Sequence, residues 1–257
     1  MSSTRTPLRV AMWSGPRNIS TAMMRAWENR GDCAVSDEPL YAAYLAATGL
    51  DHPGRDEVIA DGDTDAARVA QALSEGPAPG GQPVWYQKHM SHHLLPGMAT
   101  DWVHRLHNIL LIRDPAQVVD SYLKSRATVA PEDIGLLQQA QLFDRLAQRS
   151  GQAPMVIDAE DFLQAPEAFL RAVCGALGIA FTPRMLHWPA GRRDSDGIWA
   201  PYWYDAVWAS TGFEPWRPRA PQLRGQALAV AEACRPAYAQ LHRHRLRPAD
   251  AQAGAAP

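Results

Sequence analysis

A three-layer α/β/α fold around a mostly parallel central sheet is the architecture this sequence predicts, and three observations carry it. Short runs rich in β-forming apolar residues alternate with segments of helical character along the chain. Strands that alternate with helices pair in parallel through crossover connections. Several runs end in Gly, Pro or Asp turn signals that open the next helix. The chemically equipped residues gather at those ends, where ligands sit in such sheets.

The first apolar run is Leu8–Trp13, and further strands are expected at Cys33–Val35, Val84–Gln87, Asn108–Ile112 and Pro154–Ile157. Helical segments separate them, at about Thr21–Arg30, Thr64–Ser74, Ala116–Arg126, Gly135–Arg149 and Pro166–Leu177, with a terminal helix over Ala227–Leu246. Gly76–Pro83 is a surface loop by composition. The stretch 183–221 is irregular and dense in Trp, Tyr, Arg and Gly, and 247–257 reads as a disordered tail. A chain of 257 residues can bury one large core, so a single domain over 1–246 is expected.

Composition narrows the function. With 46% hydrophobic and 20% charged residues the chain reads as globular. A net charge of −2 provides no global field for nucleic acid or an anionic membrane, so any anion site must be local. Three widely spaced cysteines lack metal-ligand spacing, and the N-terminus lacks the apolar run of a signal peptide. A cytoplasmic, reduced protein is expected.

Such a local anion site is written directly after the first strand. Ser14-Gly15-Pro16-Arg17-Asn18-Ile19-Ser20-Thr21 is a Gly/Pro turn with a basic side chain and two hydroxyls opening a helix. Free N–H groups and a partial positive charge at a helix start attract phosphate. A nucleotide-hydrolysing P-loop, G-x-x-x-x-G-K-[ST], needs a second Gly and a Lys before the hydroxyl. Ile19 and Ser20 stand in those places, and the loop cation is Arg17. Taken alone, the segment would serve equally as an ordinary strand–turn–helix.

A second signal follows Asn108–Ile112. In Arg113-Asp114-Pro115, Asp114 can cap the next helix and Pro115 suits its first position. Arg113 then projects from a strand end with a planar fork suited to phosphate, and Ser121 lies on the helix that follows. Here the chain resembles the sulfotransferase superfamily, whose fold is P-loop-like and whose members take sulfuryl groups from 3'-phosphoadenosine 5'-phosphosulfate (PAPS). The resemblance implies a 5'-phosphosulfate loop of Gly15, Pro16, Arg17, Asn18, Ser20 and Thr21. It implies a 3'-phosphate site of Arg113 and Ser121. Met155–Leu163 with Pro166–Leu170 and Leu177-Gly178 looks like the family's late strand–Glu-Asp-Leu–Pro–helix block. Gly191–Trp199, with Arg192, Arg193 and Gly197, resembles the basic–glycine segment that closes the cofactor site.

Sulfuryl transfer needs a base, cations to neutralise developing charge, and in-line positioning. Glu38, in Ser36-Asp37-Glu38-Pro39-Leu40, is the first candidate for the base, with Asp37 as the next carboxylate; either could instead cap the helix starting at Pro39. Lys88, at the end of Trp85-Tyr86-Gln87-Lys88, resembles a cleft lysine that assists the leaving group, or is simply solvated. His89 and His92 are rival bases, since some relatives use a His just after such a Lys and neutral imidazole suits proton abstraction. A zinc site among His89, His92 and His93 lacks the spacing, and no metal is expected. Trp199, Tyr202, Trp203, Tyr204, Trp208, Phe213 and Trp216 form either an acceptor pocket or a small core.

The predicted function is sulfuryl transfer from PAPS to a hydroxyl or amine of a small-molecule acceptor, without nucleic-acid or membrane partners. An ATP- and Mg-dependent kinase or NTPase on the same fold is an alternative, with Asp158 imitating a metal-holding Asp. A non-catalytic nucleotide- or anion-binding module is another. Some sulfotransferase-like domains are fused to aminotransferase-like partners. No second domain of that kind is evident in this sequence, and neither Lys88 nor Lys124 has an evident pyridoxal phosphate setting.

Overall fold

The computed structural model describes residues 6–248, so all but the first two positions of the predicted tail at 247–257 lie outside the described residues. Five strands, β1 (Leu8–Ser14), β2 (Cys33–Asp37), β3 (Val84–Met90), β4 (His107–Ile112) and β5 (Met155–Asp158), form one sheet. Their order is β2-β3-β1-β4-β5 and every neighbouring pair is parallel. The expected parallel sheet with β1 at its centre is therefore what the chain builds. β2 and β3 run further than their apolar runs, so that Asp37 and Lys88 lie opposite each other inside the ladder.

Helices follow in chain order: α1 (Ser20–Glu28), α2 (Tyr41–Thr48), α3 (Arg55–Asp61), α4 (Ala66–Glu75), α5 (Pro115–Tyr122) and α6 (Leu136–Ser150). Then come α7 (Ala159–Gln164), α8 (Pro166–Ala176), α9 (Ala200–Trp203), α10 (Asp205–Ala209) and α11 (Gly225–Arg243). Side chains alternate between sheet faces along each strand. Ala11, Trp13, Trp85, Leu110 and Ile112 pack with Leu73 of α4, Val118 of α5, Leu142 of α6 and Val230 of α11. Val10, Met12, Val84, Tyr86, Ile109 and Leu111 pack on the other face with Met23 and Trp27 of α1 and Phe169 and Val173 of α8. Two buried clusters on opposite faces make the three layers.

A third cluster joins α2, α3 and α9 through Tyr41, Tyr44, Leu45, Val58, Trp199 and Tyr204. Helix α3 is not among the expected elements, and the helix expected to start at Pro39 begins as α2 at Tyr41. The α2 sequence Tyr-Ala-Ala-Tyr-Leu-Ala-Ala-Thr has no polar face, so it lacks the amphipathic period by which a helix is recognised. The segment expected to be wholly irregular contains α9 and α10. Among the described residues no helix is long and apolar enough to cross a membrane.

Gly15 leaves β1 directly beneath the Ile134 carbonyl, in the turn before α6, and a Cβ there would overlap that oxygen. Gly15→Ala is expected to destabilise the fold by about 1–3 kcal/mol, read as a lower urea midpoint at unchanged slope. An unchanged midpoint would mean the turn simply moves aside.

Candidate active site

The chain leaves β1 through Gly15-Pro16 into Arg17, which has a φ of 54°. Asn18 fastens this loop to the sheet: its Nδ2 donates to the Leu111 carbonyl at 3.1 Å, and its Oδ1 accepts from Ile19 N at 2.8 Å. Helix α1 then begins with no side-chain cap and no acid in its first turn. By contrast α4, α5 and α7 are each capped by an aspartate, Asp65, Asp114 and Asp158. The open start of α1 lies beside the cleft, lined there by Ser20, Thr21 and Ala22, and its free N–H groups favour an anion.

Arg113 emerges from β4 beside this loop. Its Nη1 donates to the Arg17 carbonyl at 2.7 Å, and its Nε donates to Gln117 Oε1 at 3.2 Å. Arg17 Nε in turn donates to Ser121 Oγ at 3.0 Å. Burial, then the charges of Arg219 and Arg17, lower the Arg113 pKa from its ordinary value. A guanidinium remains protonated through such a shift. Neither Arg17 nor Arg113 pairs with a carboxylate among the described residues. Two adjoining cations without a counter-ion, beside an uncapped helix start, form an anion site.

Across the cleft lies a buried cluster around Lys88. Its Nζ donates to Asp37 Oδ1 at 2.8 Å, Glu38 Oε1 at 2.5 Å and the Tyr204 hydroxyl at 2.7 Å. The Tyr204 hydroxyl donates to Asp37, whose Oδ2 also accepts from Gly197 N at 3.1 Å. The Lys88 and Asp37 side chains are 1% and 2% exposed, while Glu38 keeps 12%. Burial alone would lower the Lys88 pKa, but Asp37 and Glu38 outweigh it and hold the ammonium well above its ordinary value. Burial raises the Glu38 carboxyl, with Lys88 opposing and Asp37 adding. A carboxylate so raised is a stronger base than one in water. Glu38 is the other non-glycine residue with positive φ among the described residues, at 41°.

Strand parity sets His89 apart from Lys88. His89 neighbours Lys88 in β3 and points to the opposite face, where it stacks on Trp13 at 4.2 Å and 18°. It does not line the cleft, and burial pushes its pKa down to about 3, aided by Lys88. As a base His89 is misplaced. His92 and His93 do line the cleft; burial, aided by His52, takes His92 down to about 3.

Arg192 and Arg193 also stand apart from the cleft. Arg192 lies over the Trp208 ring at 4.4 Å, and Arg193 donates to the Pro189 carbonyl at 3.1 Å. Their segment instead meets the site through Gly197 on Asp37 and Asp196 Oδ1 on Arg25 at 2.5 Å. The Asp158 carboxylate caps α7 through Glu160 N and Asp161 N and accepts from the Tyr238 hydroxyl. It is thereby removed from the role of a metal-holding acid. The cleft holds about 360 Å³ and joins Pro16–Ala22, Glu38, Lys88, Arg113 and Ser121. Tyr41, His52 and Arg126 also line it, and no local sequence pattern marks them.

Two sulfotransferase structures share this fold. The sulfotransferase domain of the Synechococcus PCC 7002 olefin synthase superposes with a TM-score of 0.52 at 17% identity, covering 91% of this chain and 96% of that one. A sulfotransferase from Alicyclobacillus acidocaldarius superposes with a TM-score of 0.57 at 13% identity, covering 95% and 98%. The sulfotransferase-domain family model matches residues 8–244, and the chain belongs to that family. Among curated proteins it is 35% identical over 237 residues to branched-chain-amino-acid aminotransferase-like protein 2 of Arabidopsis thaliana, covering 90% of this chain and 41% of that protein. It is 38% identical over 207 residues to aminotransferase-like protein 1 of the same plant, covering 80% and 37%. The chain thus spans less than half the length of these relatives.

Two expectations follow for stability. Lys88→Met leaves the Asp37 carboxylate buried without its cation and is expected to cost about 3–5 kcal/mol; adding Asp37→Asn should recover part of it in urea unfolding. Full additivity of the two losses would mean that they do not interact. His89 and His92 titrate near 6.5 when unfolded and near 3 in the fold. Between those values only the unfolded state takes up their protons, so stability is full above pH 6.5 and falls as pH drops through the window. Each is expected to cost up to about 2 kcal/mol at pH 5. Equal urea midpoints at pH 5 and 8 would refute this.

Proposed function

We propose that this protein transfers a sulfuryl group from PAPS to a hydroxyl or amine of a small molecule. The observation that carries the reading is the Arg17–Ser121–Arg113 arrangement beside the open start of α1, facing Glu38 and Lys88 across one cleft. Family membership supports the sulfuryl chemistry.

The residues fit the donor. The α1 start with Arg17, Ser20 and Thr21 offers donors for a 5'-phosphosulfate, and Arg113 with Ser121 offers them for a 3'-phosphate. Ile19, Ala22, Leu163 and Phe213 supply apolar lining on the same side of the cleft, where an adenine would lie. When bound, PAPS supplies an electrophilic sulfur and a phosphate leaving group. Glu38 holds a carboxylate in the cleft to take the acceptor proton. Lys88 keeps that carboxylate oriented and places positive charge near the transferring group, and Arg17 stabilises charge on the leaving phosphate. The three cysteines are buried and unpaired, in keeping with a cytoplasmic location.

3'-Phosphoadenosine 5'-phosphate (PAP) is expected to bind more tightly than AMP in calorimetry, because Arg113 and Ser121 read the 3'-phosphate. Arg113→Ala should weaken PAP by about 1.5–3 kcal/mol and leave AMP nearly unchanged; equal losses would make Arg113 merely structural. Glu38→Gln is expected to keep PAP affinity and lower turnover by about 10²–10⁴-fold. Near-normal turnover in that variant would move the base elsewhere, with Asp37 and His92 next in line.

A further inference from the structure

The cleft has a second cationic pole that the donor reading leaves unused. Arg126 lies beyond the end of α5 on the side of the cleft formed after β2 and β3. Its Nη1 donates to the Asp51 carbonyl at 3.3 Å, its charge bears on the neighbouring Tyr122 hydroxyl, and its guanidinium lies 5.8 Å from the Trp203 ring centre. It makes no ion pair among the described residues. Of the acids nearby, Asp133 accepts from Ala130 N at 2.9 Å, while Asp51 offers Arg126 its backbone carbonyl and not its carboxylate.

The wall beside this cation is built of packed aromatic rings. His93 is sandwiched between Tyr41, at 4.9 Å and 4°, and Tyr44, at 4.6 Å and 28°. Tyr41 meets Trp199 edge-on at 5.1 Å, and its hydroxyl is held by His52 Nδ1 at 2.8 Å. The Nδ1 atoms of His92 and His93 are buried without a partner, and both residues line the cleft. Burial, then Arg126, pushes His52 down to about 4, so the wall is uncharged at neutral pH. On this half the remaining cation, Lys88, is consumed by Asp37, Glu38 and Tyr204.

We propose that the acceptor is a planar aromatic hydroxyl compound bearing a carboxylate. Its ring packs among the aromatic side chains that line this half, Tyr41, Tyr122 and Trp203, with its carboxylate on Arg126 and its hydroxyl facing Glu38. This rests on the donor reading above. In the transfer the acceptor O–H bond breaks with its proton passing to Glu38. The acceptor oxygen forms the new S–O bond while the bond from sulfur to the phosphate oxygen breaks, and that phosphate keeps the electron pair. A flat ring gains contact with these aromatic side chains, and the guanidinium fork matches a carboxylate in two hydrogen bonds.

The test is calorimetric binding of para-hydroxycinnamate and of its methyl ester, each with and without PAP. The acid is expected to bind about ten- to hundredfold more tightly than the ester. Arg126→Gln should reduce the acid to the affinity of the ester and leave PAP binding unchanged, and Arg126→Lys should keep part of the preference. Equal affinity of acid and ester for the unaltered protein, binding of neither, or an Arg126→Gln loss shared equally by both ligands would overturn the proposal. Absence of PAP binding would instead overturn the donor reading, and an acid preference surviving without PAP would separate the two failures.

Discussion

The buried ammonium of Lys88 is the constraint on which the rest of the site depends. Removing an ion from water costs several kcal/mol, and the cost is recovered only where geometry and partners are complete. Here completion needs three partners from two separate parts of the chain. Asp37 comes from the neighbouring strand in register, Glu38 from the turn after it, and Tyr204 from the segment after α9. Tyr204 also belongs to the aromatic cluster of α2, α3 and α9, so that cluster is tied to the sheet through the same charge. The Glu38 carboxylate and the wall of the cleft are therefore placed together.

Backbone strain falls where the chemistry is. Arg17 and Glu38, the two non-glycine residues with left-handed φ among those described, each carry a strain of about 1–3 kcal/mol. Each is held by its surroundings. The Arg17 carbonyl accepts from Arg113, while Glu38 N donates to the Lys88 carbonyl and its own carbonyl accepts from Tyr41 N. A loop free to relax would turn both side chains away. The hydrogen bonds oppose that relaxation, so cation and carboxylate stay aimed into one cleft.

Much of this was legible in the sequence where local chemistry decides the outcome. The β1 turn and the Arg113-Asp114-Pro115 element are readable because a cap, a first-turn proline and an apolar run are all local signals, and Asp114 does accept from Ala116 N and Gln117 N. Strand parity alone separates His89 from Lys88, provided that β3 extends past Gln87; its apolar run stops too early to say so. Arg192 and Arg193 carry the expected chemistry but not the expected direction. Asp196 and Gly197 are fixed by Arg25 and Asp37, which the sequence does not place nearby. Tyr41, His52 and Arg126 meet only in three dimensions, through a helix without a polar face and two loops, and no local pattern announces them.

The division of the cleft follows from the order of the strands. From β1 the chain crosses to β2 at one edge and returns to β3 between them, and from β4 it moves on to β5 at the other edge. The connections after β1 and β4 thus leave in opposite directions, and a crevice opens between those two strand ends. Arg17 follows β1 and Arg113 follows β4, which is why residues so far apart in sequence are joined by a hydrogen bond of 2.7 Å. Everything after β2 and β3, namely Glu38, Tyr41, Lys88 and the histidine pair, must then lie on the remaining side. The same topology that brings the anion-binding cations together leaves the carboxylate and the aromatic wall facing them. A group held between the two halves would meet cations on one side and the base on the other.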